Sequence, residues 1–286
     1  MNTQIRPETA EAQTLLERLE RIPRLTFHAR LTALLGGGLL LDGLDTVMIA
    51  IVLTAIMTTF HMNQASAGML IGAGYIGQAV GAPIIGSLAE RYGRKKLYLF
   101  SLLSMGFWSL LAAIAPTITW LFVARLLQGI ALGGCAPVAI ALLTEFLPGT
   151  KRGRSTSLAQ ALYALGFVLA PVLALVLFPH VGPLLVWRIF FAIGALPILI
   201  AGLVAWFVPE SVRWQVVHGR YEEASITVSR LEHEAHLTQP EHIVTQPLPS
   251  QTKPRFHALF APAYRQRTLL IWVQWFAAAF LLVGTD

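Results

Sequence analysis

Residues Leu31–Ile56 read LTALLGGGLLLDGLDTVMIAIVLTAI. A helix rises about 1.5 Å per residue, and roughly 20 apolar residues cross a hydrocarbon core of about 30 Å. The run meets that length. It is too long for a buried strand, which ends after about 4–8 residues at a turn. Hydrocarbon offers no water to its backbone, so the run must be a helix. Its only charges are Asp42 and Asp45. Ionisable groups at such depth are costly and mark function by default.

Working outward, six more runs of this kind follow, at roughly 67–88, 97–116, 118–143, 157–178, 186–208 and 268–285. The 286 residues are 55% hydrophobic and 13% charged. Soluble domains carry about 25% charge. Together with a mean hydropathy of +0.63, this excludes a soluble enzyme. The 21 Lys and Arg residues give a net charge of +6, and all except Arg125 and Arg188 lie in the N-terminal segment or in alternate connections. The connections between them, near His61–Asn63, Pro116–Thr119 and His180–Pro183, have none. Positive residues stay on the cytoplasmic side. The expected topology is therefore multi-pass in a bacterial inner membrane, with a cytoplasmic N-terminus. The basic charge needs no nucleic-acid partner. Arg188, beside Trp187 at the outer boundary, is expected to snorkel.

The expected layout is a polar tail (1–30), a six-helix bundle (31–208), a cytoplasmic connection (209–267) and a seventh helix (268–286). Within the connection, Gly219–His236 has helical character, whereas Leu237–Pro254 is rich in Pro, Gln and Thr and reads as a flexible linker. No apolar leader opens the chain. Cys135 is the single cysteine, which fits a small packing residue. The pattern offers no metal-ligand cluster, nucleophile–base pair or phosphate loop, so neither an enzyme nor a cofactor is expected.

The most specific motif follows the second run: Gly86-Ser87-Leu88-Ala89-Glu90-Arg91-Tyr92-Gly93-Arg94-Lys95-Lys96. It resembles the Gly-x-Leu-Ala-Asp-Arg-x-Gly-Arg-Arg/Lys loop of the major facilitator superfamily, with Glu90 in place of Asp. The resemblance implies a gate that latches two six-helix halves, built from Gly86, Glu90, Arg91, Gly93 and Arg94, with Glu90 accepting from Arg94 or a helix N-terminus. Arg125-Leu-Leu-Gln-Gly129 resembles the family's Arg-x-x-x-Gly pattern. Glu145, Pro148, Arg152 and Gly153 resemble the sugar-porter exit from that helix. Pro209-Glu210-Ser211-Val212-Arg213-Trp214 and Gly219-Arg220-Tyr221-Glu222-Glu223-Ala224 resemble runs of sugar porters, organic-ion carriers and metabolite–proton symporters. Glu145, Arg152, Glu210 and Arg213 are thereby implied as supporting groups. The fold expected is all-α: a polytopic membrane bundle of major-facilitator type, comprising the N-terminal six helices plus a seventh. The C-terminal half is then the missing partner.

Asp42 and Asp45 lie roughly 17–21 Å from the cytoplasmic edge. Arg125, on the antiparallel fourth run, lies about 10 Å from the outer edge, at matching depth. A buried guanidinium keeps its charge and requires a carboxylate. Two carboxylates beside it leave one paired and one able to carry a proton. Asp42-Gly43-Leu44-Asp45 resembles the Asp-Gly-x-Asp motif of aromatic acid–proton symporters, whose third residue is usually aromatic. The expected function is proton-coupled symport of an organic or aromatic acid anion by alternating access, with Gln160 and Tyr163 lining the cavity. Three alternatives stay open: a sugar or polyol porter, a drug–proton antiporter and an inactive transporter fragment. Gly166–Ala174 faintly resembles the antiporter motif.

Overall fold

The computed structural model describes residues 7–23, 26–237 and 261–283, and all of its regular secondary structure is helical. Two compact units divide the chain after Ile243. The first contains α1 (Pro7–Arg21), α2 (Thr26–Phe60), α3 (Gln64–Tyr92), α4 (Arg94–Ala113), α5 (Ile118–Phe146), α6 (Arg152–Leu177), α7 (Pro183–Ile193), α8 (Pro197–Phe207), α9 (Val212–Val217) and α10 (Tyr221–Glu234). The second contains α11 (Pro262–Val283), which covers most of the seventh apolar run. Among the described residues, six helical segments are long and apolar enough to cross a membrane. The expected linker at 237–254 lies almost wholly outside the described residues.

Local chemistry sets the helix ends. Asn63 caps α3 by accepting from the Ser66 amide at 2.8 Å, and Thr117 caps α5 through the Trp120 amide at 3.3 Å. The sixth run is not one helix. It breaks over Gly194–Leu196, because Pro197 has no amide to continue the ladder. The break frees the Phe191 carbonyl, and the buried Ser109 hydroxyl donates to it at 2.7 Å. Arg188 donates to the carbonyls of Ala113 and Ala115 at 2.8 and 3.2 Å, at the end of α4, with its guanidinium 4.2 Å from the Trp187 ring centre.

Three helix pairs carry the bundle: α3 with α5, α2 with α6, and α4 with α5. Lipid tails are as apolar as leucine, so membrane helices associate through close packing rather than hydrophobic exclusion. The α3–α5 seam is built for that. A side chain on Gly77 or Gly81 would strike the α5 backbone at Leu126–Ile130, and one on Gly129 or Gly133 would strike α3 at Gly74 or Gln78. Gly68, Gly72 and Gly86 face open space. The seam therefore uses only the inner part of the glycine series.

The N-terminal segment, expected to be a polar tail, contains a docked helix. Leu15, Leu19 and Ile22 are buried in the core that includes Val228 and Leu231 of α10. Arg18 pairs with Glu232 at 2.5 Å and donates to Ser229 at 3.2 Å.

Leucine at Gly81 is expected to cost about 1–3 kcal/mol by overpacking, lowering both the yield of monodisperse protein and its thermal midpoint. Leucine at Gly68, on the same helix, is expected to change neither. Size-exclusion chromatography with a thermal-shift measurement distinguishes the two.

Candidate functional site

Helices α2, α5 and α7 bring the buried charges together. Arg125 Nη1 donates to Asp45 Oδ2 at 3.0 Å and to Gln128 Oε1 at 2.9 Å. Gln128 Nε2 donates to Asp45 Oδ1 at 2.9 Å. Both carboxylate oxygens thus have a donor, in a closed ring of three side chains. Asp45 and Gln128 are fully buried and Arg125 nearly so. The Phe191 ring centre lies 5.7 Å from the guanidinium, within cation–π range. Arg125 Nε has no hydrogen-bond partner among the described residues. The ring therefore consumes one of the three guanidinium nitrogens.

Asp42 is 5% exposed, and its side chain has no ion pair or hydrogen bond among the described residues. The sequence left open which of the two carboxylates pairs with Arg125; in the structure it is Asp45. Three residues turn a helix by about 300° and advance it about 4.5 Å, which carries Asp42 out of range. The electrostatic neighbours of Asp42 are Tyr98, Cys135, Tyr163 and Asp45.

The backbone beside these acids is unusually close to α6. A side chain at Gly43 would strike the Tyr163 carbonyl, and one at Gly166 would strike the Leu40 carbonyl and approach the Leu44 amide. Gly43 is thus the residue that lets α6 lie against the turn bearing both carboxylates. Tyr163 is half-buried there, with its ring 5.0 Å from that of Phe167. Gln160 is exposed and touches none of these groups. Gln128 was missed in the sequence, although its three-residue spacing from Arg125 puts both on one face of α5.

The second constellation sits at the basic end of the bundle. Gly93 alone separates α3 from α4, at φ 115°, a conformation open to glycine. The break parts Glu90 from Arg94, so the expected pair does not form: an i,i+4 contact requires one continuous helix. Arg94 instead pairs with Glu145 of α5 at 3.2 Å. The Glu90 side chain is exposed, while its carbonyl accepts from the Trp214 indole at 2.7 Å. Arg91 is exposed and lies over Tyr92. Gly86 makes no close approach. The helix N-terminus at Lys95 is capped by Glu210 rather than Glu90, at 2.9 Å. Arg213 donates to the Glu145 carbonyl at 3.2 Å.

Glu20 of α1 joins this network. Its carboxylate accepts from Arg152 at 3.1 Å, from Arg213 and from the Gly149 amide at 3.3 Å. The sequence reading overlooked it because α1 itself went unrecognised. No group of three His, Cys, Asp or Glu suited to a metal ion occurs among the described residues.

The family model for the Major Facilitator Superfamily matches residues 35–285. The niacin transporter NiaP of Acinetobacter baylyi is 33% identical over 270 residues, covering 94% of this chain and 61% of its own length. The inner membrane metabolite transport protein YgcS of Escherichia coli is 32% identical, over 88% of this chain and 55% of its own. The synaptic vesicle 2-related protein of Xenopus laevis is 28% identical, over 90% and 46%. The chain spans about half to three fifths of the length of these curated relatives. Among solved structures, the xylose transporter XylE from E. coli, partially occluded and inward open, superposes with a TM-score of 0.64 at 20% identity, over 74% of this chain and 60% of its own. With six apolar helices, a buried charge ring and a basic-end loop network in place, this N-terminal six-helix bundle and the helix after it belong to the major facilitator superfamily.

Proposed function

We propose that the chain supplies the N-terminal half of a secondary transporter that couples proton entry to uptake of an organic acid anion, with its N-terminus on the cytoplasmic face of a bacterial inner membrane. The observation that carries this reading is the ring of Asp45, Arg125 and Gln128 buried between apolar helices, with Asp42 buried one turn away and unpaired among the described residues. A charged pair buried only for stability is a poor investment, since desolvation offsets most of the attraction. Placed on a solute path, the same groups have work to do.

In this mechanism Asp45 keeps Arg125 neutralised and oriented. Asp42 carries the proton, because no cation holds its charged form. Nη1 of Arg125 is committed to the ring, leaving Nη2 and Nε to receive a substrate carboxylate. An aromatic acid fits this chemistry, and the similarity to a niacin transporter favours it, niacin being an aromatic carboxylic acid. Alternating access then proceeds as the half rocks against a second half, with Arg94–Glu145, Glu210 and Arg213 bracing the basic end.

The test is uptake of labelled niacin by the carrier containing this chain, in proteoliposomes with an imposed proton gradient. Asp42→Asn is expected to stay folded and to lose gradient-driven accumulation while retaining exchange. Gradient-driven accumulation at the wild-type level would refute the coupling role. Asp45→Asn leaves Arg125 buried without its counter-charge, which costs about 3–5 kcal/mol. Both accumulation and thermal stability should fall.

Arg125→Lys provides a separate check on substrate binding. A single ammonium can serve Asp45 but has no planar face left for a carboxylate. The expected result is a folded carrier whose KM for niacin rises at least tenfold, by roughly 1.4 kcal/mol. An unchanged KM would make Arg125 a purely structural partner of Asp45.

A further inference from the structure

At the basic end, α2, α8 and α10 line a shallow groove open to the surroundings, with room of about 120 Å³, the scale of a headgroup rather than of a whole ligand. One wall is apolar, with Leu31 and Leu34 of α2 and Phe207 of α8. The rim is basic. Arg30 and Arg230 line it, both exposed and neither with an ion pair or hydrogen bond among the described residues. The one carboxylate present, Glu234, accepts from the Phe27 amide at 3.2 Å, at the start of α2.

The groove straddles a boundary. Arg30 is the last charged residue before the apolar run of α2, and Phe207 is the last residue of α8. From Phe207 an exposed apolar stripe continues along α8 through Leu203 and Leu199, and Trp206 beside it is 83% exposed. These positions are four and eight residues apart, so they share a face. An exposed tryptophan at a span's end marks headgroup level. The site therefore presents cations at headgroup depth and a hydrocarbon track leading inward, which is the complementary image of an anionic phospholipid.

We propose that this groove binds one anionic phospholipid, with its phosphate between Arg30 and Arg230 and an acyl chain along Phe207, Leu203 and Leu199. The proposal rests on the six helices spanning a bilayer and is independent of proton coupling. Basic pockets between spans hold anionic headgroups, and each cation near the surface contributes about 1 kcal/mol. Two of them support roughly a thirty-fold preference over a zwitterionic lipid.

The experiment is native mass spectrometry of the full chain released from mixed phosphatidylglycerol and phosphatidylcholine nanodiscs, with lipid titrated back. The expected result is one retained phosphatidylglycerol, bound at least tenfold tighter than phosphatidylcholine. R30Q/R230Q should erase that preference, R30K/R230K should keep most of it, and K96Q/K151Q, which removes equal charge elsewhere on the same end, should leave it intact. Equal retention of the two lipids overturns the proposal, as does equal loss in the K96Q/K151Q variant. Competition by inorganic phosphate or glycerol phosphate at lipid-like concentrations also overturns it, by making the site one for a free anion. The lysine pair guards against misfolding, since it retains binding only if the site is intact.

Discussion

An arginine cannot discharge itself inside hydrocarbon, and this fold is organised around that fact. Arg125 is held by Asp45 from another helix and by Gln128 from its own. The ring needs α2 and α5 in fixed register, because both oxygens of Asp45 are used. It needs α7 as well, since Phe191 covers the guanidinium. A single charge requirement thereby aligns three spans at one depth, and it leaves Asp42 on the same helix outside the arrangement.

Close backbone contact makes that alignment available. The glycines of α3 and α5 let those helices approach beside Arg125, and Gly74 itself lies against the guanidinium. Gly43 and Gly166 do the same between α2 and α6 beside Asp42. Charge and smoothness therefore coincide, so the polar groups sit where helices have the least side-chain interlock to resist sliding. At the basic end the arrangement differs. There Glu145 and Glu20 each hold groups from two or more segments and Glu210 caps α4 by charge-assisted bonds, which adds to the apolar core that joins the connections to the spans.

Much of this was legible in the residues. Length and apolarity delimit the spans, and counting residues inward from the boundaries brings Asp45 level with Arg125. The remainder depended on geometry that spacing alone does not contain. Arg94 binds Glu145, fifty-one positions away, because one glycine with a positive φ turns the chain between Glu90 and Arg94. Asp42 and Asp45 share a face, yet only one of them reaches Arg125, since about 4.5 Å along the axis decides the contact. The sixth span is broken by Pro197, whose effect was readable, but its repair by Ser109 required knowing which helix lies opposite. The apolar residues in and just after α1 were visible too, at Leu15, Leu19 and Ile22. Amid many charges they indicated no partner until α10 was in place.

That last contact has a consequence in time. Arg18 and Glu232 are 214 positions apart, and a ribosome adds roughly 5–20 residues per second. α1 therefore waits on the order of ten to forty seconds for the segment that receives it, while the six spans between them are made. Throughout that interval Leu15 and Leu19 lack Val228 and Leu231 of α10, with which they share a core. α1 is completed by α10, so the nascent chain closes its basic end only after the last of the six spans has been made.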